Sequence, residues 1–226
     1  GESIAPFRLL ESVLGVIPWD GETGQLLDAQ AAGHAGYRRL HSWMREAEDL
    51  WRTHSQSGMT FLEQLDYFGK LTAQMPPAPV RLLYAASGTI PAAAVLKDRA
   101  GTAEHALYWT ACDESEARYL EAILNSESAR TRAEHMQSVG QWGARHFDKV
   151  MLELPIPKFS PSDTLHAQLA AAALRAEQVA AGVVLLAGVH FVRARQLIRQ
   201  ALQADGVSEV IDELVAELLT GAGQQA

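Results

Sequence analysis

Between Gln141 and Lys158 the chain sets down residue types that a nucleic-acid surface uses and a hydrophobic core does not. Arg145 offers a planar fork matched to a phosphate or to guanine O6 and N7, and Gln141 can pair with an adenine edge. Trp142 and Phe147 are rings on which bases can stack, and Lys149 and Lys158 are point charges for phosphates. His146 sits beside the arginine and would face the groove with it. Pro155 and Pro157 fix extended backbone immediately before Lys158. A loop braced by its aromatic residues and prolines is the competing reading of the same stretch.

Other chemistries find no constellation to carry them. The eight histidines are scattered, without the i, i+4 pair and adjacent glutamate of a helical zinc site. A Gly-x-Ser-x-Gly elbow is missing, so a serine hydrolase is not expected. The nearest approach to the Asp and Glu-x-Lys strand of a nuclease is Glu153-Leu-Pro-Ile-Pro-Lys158, whose prolines forbid a central strand. His146 and Asp148 read as loop structure more readily than as an acid/base pair, and Ser87-Gly88-Thr89 is too short for a phosphate-cradling loop. Catalytic and metal-binding residues are therefore both expected to be absent.

Together with Tyr119-Leu-Glu-Ala-Ile-Leu-Asn-Ser126, the Arg-His-Phe and Pro-Ile-Pro stretches resemble the C-terminal target-recognition region of modular N6-adenine DNA methyltransferases, including type IIG-like restriction-modification enzymes. The similarity is best from Pro79 to Ala181, where Arg81 to Thr89, Ala103 to Trp109, the Ile-Leu-Asn-Ser helix and the two signatures follow in the family's order. It is looser over the first 75 residues, and beyond Ala181 nothing is diagnostic. The resemblance implies a DNA target-recognition module: Gln141, Trp142, Arg145 and His146 toward the groove, Lys149 and Lys158 on phosphates, and a second contact loop at Ser87 to Thr89. Its implied partners are double-stranded DNA and the catalytic domain of a larger parent protein.

The family's catalytic parts are not in this sequence. Amino-methylating DNA enzymes hold the flipped base with an Asn/Asp-Pro-Pro-Tyr/Phe loop. The single Pro-Pro pair, Pro76-Pro77, lies in Gln-Met-Pro-Pro-Ala-Pro, and no glycine-rich turn after a strand would hold S-adenosylmethionine. By itself the chain is expected to be no enzyme and to carry no cofactor, S-adenosylmethionine belonging to the parent's missing domain. The alternative is a helical assembly module that joins methyltransferase or restriction subunits without reading bases.

Charge distribution bears on this choice. The net charge of −8 repels a polyanion, but residues 130–200 hold 9 basic and 5 acidic side chains and form the only net-positive block. A patch of that size positions a tethered module on phosphates without giving tight independent binding. The single cysteine, Cys112, excludes an internal disulfide and fits a reducing, cytoplasmic setting. No signal peptide opens the sequence and no run of 18 uninterrupted apolar residues spans a bilayer, so no membrane partner is expected.

The elements that must position these residues give an α+β, predominantly helical fold. It has a small β element with flanking helices and a long C-terminal helix followed by a short one. Residues 1–78 read as mainly helical, with Leu40, Trp43, Met44, Ala47, Leu50 and Trp51 as a core stripe. Residues 79–161 form a small β-containing recognition part, with strands expected at 80–86, 92–96 and 104–110 and a helix capped by Asp113 or Ser115. Residues 162–226 form a helical spacer or assembly part: one helix from about Thr164 toward Ala204, then another from about Val207 to Thr220. The stretch from Val179 to Val192 is apolar almost all round and should be covered by the N-terminal helices or by a second copy, making a homodimer an expected partner.

Overall fold

The computed structural model describes residues 2–85, 90–136 and 150–222, and the backbone at 139–140 and 143–144. Among them are eight α-helices and four small antiparallel sheets, an α+β fold in which helix dominates. The chain forms two compact units: residues 13–78, and residues 79–226 together with 1–12.

In the larger unit, β1 (Ile4–Ala5) and β2 (Arg8–Leu9) form a hairpin. In the smaller one, β3 (Trp19–Asp20) pairs with β4 (Gln25–Leu26), followed by α1 (Ala29–His34), α2 (Arg38–His54) and α3 (Phe61–Leu65). The first 28 residues are thus short ladders rather than helix, because two-residue strands are too brief to leave a periodic signal. Of the expected core stripe on α2, Met44 is fully buried, but Leu50 is 61% exposed. Trp43 and Trp51 both approach Phe61 at 6.2 Å between ring centroids, and the Trp51 indole donates to the Met59 carbonyl. α3 opens with a capping box between Thr60 and Glu63.

The larger unit is built on a three-stranded sheet in the order β6 (Ala93–Leu96), β5 (Arg81–Ala85), β7 (Leu107–Ala111). Period-two alternation divides β5 between two cores. Leu82 and Tyr84 face the helices, while Leu83 and Ala85 pack with Ile4, Ala94, Leu96 and Leu107. Arg81 is fully buried, its Nη2 donating to the carbonyls of Asp98 and Gly101 and so bracing the turn between β6 and β7. α4 (Glu114–Asn125), capped by Asp113, covers the sheet and is continued by α5 (Glu127–Glu134). A two-residue ladder, β8 (Val139–Gly140) with β9 (Gly143–Ala144), spans the start of the Gln141-to-Lys158 stretch.

Three helices close the unit: α6 (Thr164–Gly182), α7 (Phe191–Asp205) and α8 (Val207–Ala222). On α6, Leu169, Ala173, Ala176 and Ala180 are fully buried, and small side chains let α4 and α8 approach closely. Arg118 of α4 grips Glu177 of α6 with two bonds, 2.9 and 3.2 Å.

The single helix expected from Thr164 toward Ala204 is two helices. α6 stops at Gly182, and a connection with Gly188 at φ +74° leads to α7, whose N-cap is the His190 side chain. Arg8 explains why the break is stable: its Nη1 donates to the carbonyls of Ala180 and Val183 at 2.8 and 2.7 Å, taking up acceptors that a continuing helix would have used. The expectation that Val179 to Val192 is buried fails with it. Val179, Val183 and Leu185 pack on the core, but Val184 is 84% and Leu186 79% exposed. Arg193 and Arg195 lie near the N-terminus of α7, and Arg195 is buried, with its Nε on the Ile4 carbonyl.

Candidate nucleic-acid interface

Five of the expected contact residues, Gln141, Trp142, Arg145, His146 and Lys149, lie outside the described residues, as do Ser87 and Thr89. What is described is the frame that holds the segment. Ala133, near the end of α5, is fully buried before it, and Met151 is fully buried after it, in a short 3-10 turn at Val150–Glu153. That turn packs against α5, so the two ends flanking residues 137–149 are neighbours. Leu154 then enters the same core, and Lys158 is exposed, without a partner among the described residues.

The Tyr119-to-Ser126 motif is the other half of the frame, and each of its polar side chains is used internally. The Tyr119 hydroxyl donates to the Pro157 carbonyl at 2.8 Å, and its ring lies 5.5 Å from that of Phe159 and 4.6 Å from His166. Burial pushes the Tyr119 phenol well above its ordinary range, so it stays a donor. His166 in turn accepts from the Ser160 backbone N–H, which fixes the chain just past Lys158. Ser126 caps α5 by accepting from Ala129.

Glu121 and Asn125 reach the other way, to the free edge of β6. Asn125 accepts from the Ala93 N–H at 2.9 Å and donates to the Ala93 carbonyl at 3.0 Å, presenting to the strand what a neighbouring peptide group would. Glu121 accepts from the Val95 N–H at 3.1 Å. Four residues of helix rise about 6 Å and two residues of strand about 6.7 Å, so the spacings match across the junction. One helix thereby fixes the sheet on one side and the Pro-Ile-Pro segment on the other. Sequence reading had grouped this motif with the recognition residues; its side chains make the scaffold.

The arginines of the net-positive block are largely engaged in the same way. Arg130 pairs with Glu127 and Glu134, and Arg132 donates to the Leu219 carbonyl and the Thr220 hydroxyl at the end of α8. Arg175 pairs with Asp205, Arg193 with Gln196, and Arg195 with the Ile4 carbonyl. Arg130 and Arg193 find theirs within four residues on the same helix, whereas the partners of Arg132, Arg175 and Arg195 lie tens of residues away and leave no trace in the local sequence. Burial raises the Cys112 thiol to about 11, which leaves it protonated and unreactive. Among the described residues no group of acidic, histidine or cysteine side chains could hold a metal ion, and no helix is long and apolar enough to cross a membrane.

No family model, curated protein or solved structure matches this chain.

Proposed function

We propose that this chain is a DNA target-recognition module acting for a larger S-adenosylmethionine-dependent adenine methyltransferase or restriction-modification enzyme. The observation that carries the reading is the division of labour among the basic side chains. Most arginines of the positive block are taken up by helix ends and ion pairs, whereas Lys158 is exposed at the C-terminal end of the 141–158 stretch, whose described flanks pack into the core. That segment also holds Arg145 and Lys149. Arg145 reads a base edge in this reading, and Lys149 and Lys158 hold phosphates.

The cation count sets the experiment. Lys149 and Lys158 should together contribute roughly −1.8 to the log–log salt slope of the intact enzyme's binding to duplex DNA, as for about two neutralised phosphates. Lys158→Ala should flatten it by about one unit and weaken all sequences alike. Arg145→Ala should cost roughly 1–3 kcal/mol on the preferred site and relax its choice. An unchanged ratio of matched to mismatched affinity in Arg145→Ala would sink the base-reading role.

The exposed Val184 and Leu186, with Val192 at 57%, favour a second reading, an assembly surface for another subunit or a second copy. Light scattering on the isolated chain should then show a concentration-dependent dimer that Val184→Asp abolishes. A strict monomer at high concentration removes the second-copy form of this reading.

A further inference from the structure

The smaller unit holds a cleft of about 450 Å³ that shares no residue with the set weighed for DNA contact. Glu48, Trp51, Arg52 and Ser55 line it at i, i+3, i+4 and i+7, so one face of α2 turns its side chains toward it. Residues 57–62 supply a second wall, where the Phe61 ring lies 6.2 Å from that of Trp51 between centroids. The two walls are joined by the Trp51 indole, which donates to the Met59 carbonyl at 2.8 Å. Asp28, the cap of α1, lines the cleft as well. Glu48 holds that cap beside α2, because its Oε1 accepts from the Ala29 N–H at 2.9 Å.

The charges of the cleft select a cation. Asp28 accepts from the Ala31 N–H through Oδ1 and Glu48 from the Ala29 N–H through Oε1, so each carboxylate keeps its other oxygen without a partner among the described residues. Asp28 is exposed and Glu48 half-buried, which leaves both open to a solute. Arg52, the cation on the same face, is already neutralised by Asp49 at 2.8 Å. A metal ion would want more ligands, and no third acidic, histidine or cysteine side chain joins the two carboxylates. The rings point instead to an organic ion, since an ammonium group is attracted to an aromatic wall as well as to carboxylates. A cleft of this volume suits a small molecule with an apolar body.

We propose that this cleft binds a small organic ammonium ion, its charge against the carboxylates of Asp28 and Glu48 and its apolar body against Trp51 and Phe61. Phenethylammonium is a suitable probe, and phenethyl alcohol is its uncharged counterpart. Added to the full ¹⁵N-labelled chain at constant ionic strength, phenethylammonium should shift the Trp51 indole N–H resonance saturably. It should bind at least about tenfold more tightly than phenethyl alcohol, as one incompletely screened charge interaction supplies. Glu48→Gln keeps an acceptor for the Ala29 N–H and removes the charge, so it should lower phenethylammonium affinity by about the same factor. Glu46→Gln removes a charge from an exposed position of the same helix that does not line the cleft, and it should bind as the parent does. Because the two probes are compared on the unaltered chain, the comparison decides the matter even where a variant unfolds. A response that does not saturate, a smaller preference for the charged probe, or equal losses in Glu46→Gln and Glu48→Gln would overturn the proposal.

Discussion

Replacing Asn125 by alanine should destabilise the larger unit by roughly 1–3 kcal/mol, because it leaves the buried Ala93 N–H without an acceptor. For a chain of this size, a loss near 2 kcal/mol corresponds to a melting temperature lower by roughly 4–8 °C. The Ala93 carbonyl is less affected, since it also accepts from the Phe7 N–H at 3.0 Å. Asn125→Asp separates the parts of the effect. It keeps an acceptor for the Ala93 N–H but loses the donor to the carbonyls of Ala93 and Glu121, and it sets a negative charge against both. Its loss should therefore shrink when the carboxyl is protonated at low pH, whereas that of Asn125→Ala should not. A second consequence concerns the strand edge. Without the amide, β6 presents an unpaired N–H and becomes a template for another chain, so Asn125→Ala should aggregate on mild heating more readily than a core variant of equal stability. Urea titration and amide exchange at Ala93 and Val95 measure the two effects; protection at Ala93 as strong as in the parent would refute the assignment.

Glu121→Gln should stabilise the protein in neutral and alkaline solution. The Glu121 carboxyl is fully buried, and burial, followed by the nearby Glu177 charge, pushes it well above the usual carboxylate range. Its folded pKa thus exceeds the unfolded value near 4.5, and the folded state holds the proton over the interval between them. Stability from this group is therefore fully present below the unfolded pKa and is lost as pH rises through the folded one. Each unit of separation costs about 1.4 kcal/mol at the upper end of the interval. Glutamine keeps the acceptor for the Val95 N–H and supplies a permanent donor toward Glu177, imitating the protonated acid. The difference in unfolding free energy between variant and parent should grow with pH across that window, which cancels the opposite contributions of Glu114 and Glu127, whose ion pairs lower their pKa values. A difference independent of pH between 4 and 9 would contradict the account. Glu121→Ala, by contrast, orphans the Val95 N–H and should destabilise at every pH.

Local chemistry was legible where one element decides its own form. Short apolar or alternating runs between turn residues placed all three strands within about three residues, and Asp113 and Asp163 cap the helices they precede. Legibility ended where the deciding atoms are distant in sequence. The end of α6 depends on Arg8, which lies far back in the chain, and the absence of proline near 182 said nothing about that. Gly182 and Gly188 were the available local signal, set within an apolar run. The edge clamp on β6 is likewise invisible in composition, since Asn125 near a helix end reads as a stop signal rather than as a substitute peptide. For the candidate interface, the frame is described and Lys158 is exposed, while the groove-facing residues fall outside the described set.

The bonds from Arg8 to α6 and from Arg195 to Ile4 also constrain how the molecule is made. The first dozen residues belong to the unit completed by the last, and residues 13–78 are spelled out between them. A ribosome adding roughly 5–20 residues per second emits the hairpin about 10 to 40 seconds before α7 exists to hold it. During that interval Ile4 and Ala5, both fully buried in the finished fold, lack the cover that α7 supplies, and until the three-stranded sheet emerges they lack that side as well. The contacts of the smaller unit are complete once residue 78 has emerged, whereas those of the larger one wait for its C-terminal helices. Ribosome-stalled chains ending before α7 should accordingly be open to proteolysis at the hairpin and already resistant within residues 13–78.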